Sequence, residues 1–189
     1  MATEHREKLF HLLATKALAF GDFTLASGKK SDHFFNCKTV TRTPEGMYLI
    51  GNLLFDLIQE QCPEADGIGG LTMGADPICD AVTFVSYERQ HPIESLIVRK
   101  ETKDHGTKRQ IEGNVTAVTN LVVIDDVVTT AGSTIKAIES FQTEPALNIV
   151  SVMALVDRAE GGREALKEMD FDLYALYSKQ ELMDYAKSL

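Results

Sequence analysis

Leu121-Val122-Val123-Ile124-Asp125-Asp126-Val127-Val128-Thr129-Thr130-Ala131-Gly132-Ser133-Thr134 decides the fold of this chain. Its four uninterrupted apolar residues fit a strand covered on both faces, the pattern of a parallel sheet between helices. Two carboxylates end the strand at Asp125. Small and hydroxylated residues then lead into a helix whose first amides are free to bind an anion. Thr129, Thr130, Ser133 and Thr134 offer hydroxyls, Gly132 allows close approach, and successive amides from Val127 through Val128 and Ala131 can nest a phosphate. Asp125 and Asp126 would repel that phosphate. They suit sugar hydroxyls, or a magnesium ion held directly or through water. Alone, two acids in such a loop fit a helix cap and turn equally well; the hydroxyls and the glycine favour a ligand.

The same alternation extends in both directions. Ala65 to Gly70, Ile93 to Val98 and Ile149 to Val156 read as further strands. Pro44 to about Gln61, Ala75 to Tyr87 and Ser133 to Phe141 read as helices, and a helix-strand-helix set follows Gly161. The class is α/β, a parallel sheet flanked by helices. Upstream, Leu9, Leu12, Leu13 and Ala17 have helical spacing that Gly21 ends. Phe23 to Leu25 and Ser31 to Asn36, joined by a turn at Ser27 to Lys30, form a small antiparallel element. This gives a single domain over 1–189 with an N-terminal hood, mainly from 1–40. In open α/β sheets ligands collect beyond the carboxyl ends of the strands, which is where the acids lie.

Composition narrows the function. The 189 residues are 44% hydrophobic and carry 19 basic against 28 acidic side chains, a net charge of -9. An average surface of that sign repels nucleic acid and anionic membrane, so neither is expected as a partner and any anion site must be local. No run approaches a membrane span, and Glu4 to Lys8 interrupt any signal-peptide core, so the expected location is the cytoplasm. Cys37, Cys62 and Cys79 match no zinc spacing and read as core residues.

Other phosphate motifs fail on the same letters. Gly132 is followed by Ser133 with no lysine, and Gly69 to Gly74 runs on into Ala75, so there is no Walker A loop. A dinucleotide fingerprint from Gly67 and Gly69 meets Thr72 where a third small residue is needed. One segment breaks the alternation: 99–113 gathers Arg99, Lys100, Lys103, His105, Lys108 and Arg109 with little apolar periodicity. Such a run is commonly a solvated surface loop, although loops of this length in compact domains tend to be functional or mobile.

Val123 to Thr134 resembles the phosphoribosyl pyrophosphate (PRPP) motif of the type I phosphoribosyltransferases. Three more blocks are similar to the orotate phosphoribosyltransferase branch. They are Phe23-Thr24-Leu25-Ala26-Ser27-Gly28-Lys29-Lys30-Ser31 with Phe34-Phe35, Arg99-Lys100-Glu101-Thr102-Lys103-Asp104-His105-Gly106, and Asp157-Arg158-Ala159-Glu160-Gly161-Gly162. Gly70 to Ile78 resembles the family's pyrophosphate-side loop. Together the blocks cover most of the chain.

The resemblance implies conversion of orotate and PRPP to orotidine 5'-monophosphate and pyrophosphate. Asp125 and Asp126 would hold the ribose, and Val127, Val128, Thr129, Thr130, Ala131, Gly132 and Ser133 the 5'-phosphate. Arg99, Lys100, Lys103 and His105 would neutralise the departing pyrophosphate, with Mg2+ bound mainly through PRPP. Lys103, Asp104 and His105 are the expected catalytic residues of a mobile loop over 99–113, with Gly106 and Gly113 permitting motion. Orotate would meet Arg158, whose planar fork suits its carboxylate, together with Thr129, Phe34 and Phe35. The bland alternative for Arg158 is a salt bridge to Asp157 or Glu160, and for the two phenylalanines a place in the core. The family works as a homodimer with shared active sites.

Some branches carry lysines where this chain has Ala26 and Met73; Lys29 or Lys30 could replace the first charge, and the backbone amides of Thr72 to Gly74 could suffice at the pyrophosphate. The chain is short for an added decarboxylase barrel, a fold of about 250 residues, so a monofunctional enzyme is expected. The rival readings are a type I phosphoribosyltransferase for another base and a non-catalytic PRPP-sensing module.

Overall fold

A computed structural model describes residues 2–24, 30–100 and 110–189. Helix α1 (Ala2–Leu12) continues through one π-helical turn at Leu13–Ala17 into β1 (Leu18–Thr24), which pairs antiparallel with β2 (Lys30–Phe35). A short α2 (Lys38–Thr41) leads to α3 (Pro44–Gln61), started by Pro44 and by the Thr43 hydroxyl, which accepts the Gly46 N–H at 3.1 Å. There follow β3 (Gly67–Leu71), α4 (Asp76–Glu88), β4 (Glu94–Val98), β5 (Ile111–Glu112) and β6 (Asn120–Val128). The chain continues with α5 (Gly132–Phe141), β7 (Asn148–Asp157), α6 (Gly162–Lys167), β8 (Leu173–Ser178) and α7 (Lys179–Ser188).

The main sheet has the order β5-β4-β3-β6-β7-β8. Five strands are parallel, and only the two-residue β5 runs antiparallel at the edge. Side chains alternate across it. Val122 and Ile124 join Ile68, Met153 and Leu155 in the core under α1, α3, α4 and α7, while Leu121 and Val123 join Leu96, Val152 and Ala154 under α5 and α6. Burial on both faces is why these strands are written as continuous apolar runs. Numbered among themselves, the parallel strands run 2-1-3-4-5, so the chain leaves β3 and β6 in opposite directions. The crevice between their carboxyl ends is the topological switch point.

The expected α/β architecture is present, with three differences of detail. Gly21 does not end the first helix: helical structure stops at Ala17, and Gly21 lies inside β1, where the pairing with β2 shifts register between Phe20 and Phe23. The aromatic residues favour the strand. Strand β6 runs past Asp125 to Val128, because β7 stays paired with it through Val127–Val156 and Val128–Asp157. Elements as short as α2 and β5 leave no periodicity to read.

Candidate active site

The two acids diverge because successive residues of a strand face opposite ways. Asp125 faces α5, where its Oδ2 accepts the Thr134 hydroxyl at 3.0 Å and its Oδ1 the Asp126 N–H at 2.9 Å. Asp126 faces the N-terminal layer, with Oδ2 3.5 Å from Lys38 Nζ. A Cβ on Gly74, in the turn after β3, would lie 2.7 Å from Asp126 Oδ1 and 3.1 Å from Asp125 Oδ1. Both carboxylates therefore line the switch point, and only glycine lets the facing turn approach them. Burial, then the neighbouring Asp126 charge, pushes the Asp125 carboxyl up to about 7 against the opposing bonds from Thr134 and the Asp126 amide.

Beyond β6 the chain turns sharply through Thr129, Thr130 and Ala131. Ala131 has φ 61°, and α5 begins with no side-chain cap. Thr134 is committed to Asp125, so the first-turn amides keep their donors for an incoming anion. A cleft of about 290 Å³ sits here, lined by Asp125, Val127, Thr129 to Ser133 and Lys136. A second, of about 160 Å³, shares Asp125 and Ser133 and is closed by Lys38, Thr72 to Gly74, Lys100 and Asp126. The turn is braced from below: a Cβ on Gly162 would sit 2.5 Å from Val128 Cγ1 and 2.8 Å from the Thr129 carbonyl oxygen.

Lys38 and Lys136 were not singled out from the sequence, and Gly162 entered only as the last residue of a resembling block. Lys136 follows Ser133 by three residues, so helical spacing alone puts it beside the cradle. Lys38 carries no comparable signal, since its place depends on how the hood meets the sheet.

The remaining expected residues divide. Lys100 lines the cleft with Met73 and Gly74. Arg99 instead puts Nε 2.7 Å from Glu112 Oε1, bracing β4 against β5. Arg158 donates its backbone N–H to the Val128 carbonyl at 2.9 Å, which sets it beside Thr129, but its guanidinium rests on Glu160. Phe35 is a core residue, while Phe34 is 45% exposed with its ring 5.6 Å from that of Phe23. Gly113 has φ 115°, and a side chain there would strike the Ser95 carbonyl, a packing reason for the glycine. Lys103, Asp104, His105 and Gly106 lie outside the described residues, as does Ala26.

Among the described residues no group of three or more His, Cys, Asp or Glu side chains is placed to hold a metal. Asp125 and Asp126 could contribute only two carboxylates, so a magnesium ion here would need oxygens of a bound substrate and water to complete its shell. Among the described residues no helix is long and apolar enough to cross a membrane.

No family model matches the sequence. Individual proteins do. The chain is 44% identical over 181 residues to the orotate phosphoribosyltransferase of Aquifex aeolicus, covering 94% of this chain and 97% of that protein. It superimposes on the orotate phosphoribosyltransferase of Mycobacterium tuberculosis solved with Fe(III) dicitrate, with a TM-score of 0.80 and 31% identity over 94% of this chain and 98% of that one. The same enzyme solved with PRPP gives a TM-score of 0.77 and 27% identity, again over 94% and 98%. With paired acids at the switch point, an open helix N-terminus beyond them and similarity over nearly the whole length, the chain belongs to the orotate phosphoribosyltransferase family.

Proposed function

We propose that this chain transfers the phosphoribosyl group of PRPP to orotate, giving orotidine 5'-monophosphate and pyrophosphate, as a single domain in the cytoplasm. The observation that carries the reading is the pair of carboxylates, Asp125 and Asp126, beside the uncapped start of α5. That arrangement offers acceptors for two ribose hydroxyls and amide donors for a 5'-phosphate. The cradle from Val127 to Ser133, with Lys136 at its rim, anchors the phosphate, and the backbone of Thr72 to Gly74 faces the pyrophosphate. Lys100 and Lys38 supply positive charge around Met73, where some relatives carry lysine. Arg158, Thr129 and Phe34 receive orotate; Phe35 holds the strand from within the core.

A ring nitrogen of orotate attacks the anomeric carbon as the bond from that carbon to the pyrophosphate oxygen breaks; the bonding electrons leave with pyrophosphate, and the proton of that nitrogen passes to Asp104 or to water. Positive charge grows on the ribose near Asp125 and Asp126, and negative charge grows on the departing group near Lys100, with Lys103 and His105 as the further cations and Asp104 beside them. Magnesium, when bound to the pyrophosphate, adds charge neutralisation.

The enzyme acts as a homodimer, a reading supported by Phe84 and Tyr87, three residues apart on α4 and 65% and 79% exposed. The deciding experiment follows orotate absorbance after addition of PRPP and magnesium, with adenine and uracil as controls. Loss of signal with orotate alone is expected. No loss, or equal use of uracil, would reject the reading.

A further inference from the structure

Arg158 does not stand alone at the end of β7. Its Nη2 and Nε donate to one oxygen, Glu160 Oε1, at 2.9 and 3.1 Å. Lys179 Nζ, from the first residue of α7, donates to that same oxygen at 2.8 Å. The Arg158 side chain is only 14% exposed and that of Lys179 20%. Neither Glu160 nor Lys179 has a part in the transfer just described.

A guanidinium presents two edges to which a carboxylate can bond, the side edge of Nε and Nη2 and the end edge of Nη1 and Nη2. Glu160 occupies the side edge, so the end edge stays available to a second planar carboxylate. The charges also balance: Arg158 and Lys179 against Glu160 leave one positive charge, the complement of one orotate carboxylate. Were Lys179 neutral, Glu160 would cancel Arg158 entirely.

Both partners are fixed from behind. The turn carrying Glu160 is held by Asp157, whose Oδ1 accepts the Ala159 N–H at 2.8 Å while its Oδ2 is gripped by Arg163 at 3.0 Å. Lys179 follows a capping box in which Ser178 and Glu181 bond reciprocally. Burial works against ionisation of Glu160, but the bonds from Lys179 and Arg158 prevail and hold its carboxyl below the ordinary range.

We infer that Glu160 and Lys179 are positioning residues for orotate, Glu160 aiming the free end edge of Arg158 at the substrate carboxylate and Lys179 cancelling the charge that Glu160 brings. The inference rests on the reading that places this carboxylate at Arg158. An opposite role for Glu160, as a rival carboxylate that orotate must displace, makes opposite predictions.

Steady-state kinetics on the full chain separates these outcomes, with thermal unfolding run on every variant. Glu160→Gln and Lys179→Met should each raise the orotate KM about tenfold, the size of a misaligned charge-assisted contact. The PRPP KM and kcat should stay within about twofold, and Lys179→Arg should restore the parent orotate KM. Loss of fold alone would not single out one substrate or be rescued by arginine. An unchanged orotate KM in both variants, or a lower one in Glu160→Gln, would overturn the inference. Arg158→Gln is the separate arm: if it too leaves the orotate KM unchanged, the base-site reading itself fails. If it alone raises that KM, only the role of Glu160 and Lys179 is refuted.

Discussion

Asp125 shows how one residue trades stability for binding. Its carboxyl is shifted upward in the fold from an ordinary 3.8 to about 7, so the native state binds the proton more tightly than the unfolded chain does. The favourable contribution is present below about pH 4 and is lost as pH rises towards 7. Asp125→Asn should therefore melt a few degrees above the parent at about pH 8, with the difference closing towards pH 5. The parent KM for PRPP should fall as pH rises through neutrality, because the ionised carboxylate is the better acceptor for ribose hydroxyls. Asp125→Asn should show a higher KM with no such slope. At Lys103, a contact made in the transition state is worth about 3 kcal/mol, so Lys103→Ala should cut turnover roughly a hundredfold. Turnover within a few fold of the parent would remove the loop's electrostatic role. The type and order of these residues were legible in the sequence. Their partners were legible only in part: the Arg158–Glu160 pair is one of the two local salt bridges the sequence offers, whereas Arg99 resting on Glu112 follows from tertiary placement.

Among the elements, the turn between β6 and α5 depends on α6, which lines neither of the two clefts. Gly162→Ala would drive a Cβ into Val128 and the Thr129 carbonyl. That crowding should cost about 1–3 kcal/mol in denaturant unfolding and raise the PRPP KM, since the cradle itself must shift. The neighbouring Gly161 makes the contrast. Its φ is 95° and a Cβ there would meet nothing within 4 Å, so Gly161→Ala should cost about 1 kcal/mol from backbone strain and leave the PRPP KM near the parent value. The long periodic elements, α3 above all, could be located from spacing and end signals. The continuation of β6 through both acids could not, because it depends on how far β7 stays paired.

For the molecule as a whole, the switch point explains how a chain with net charge -9 hosts a polyanion: the cations Lys38, Lys100 and Lys136 and the open α5 amides are gathered at one crevice. Class and sheet type followed from apolar runs and their connections; strand order did not, since parallel pairing leaves no local trace. The parent should sediment as a dimer in sedimentation velocity and Phe84→Glu with Tyr87→Glu as a monomer, and activity should fall with it. Unchanged sedimentation would place the subunit contact elsewhere. The opposed directions of Asp125 and Asp126 have one more effect. A ribose grasped by both would act as a rivet through the β6 plane, fastening the α5 side to Cys37, whose Sγ lies 4.0 Å from the Asp126 carbonyl oxygen, and to the α2 segment. Amide hydrogen exchange in 36–41 and 132–136 should then slow in concert when PRPP is added.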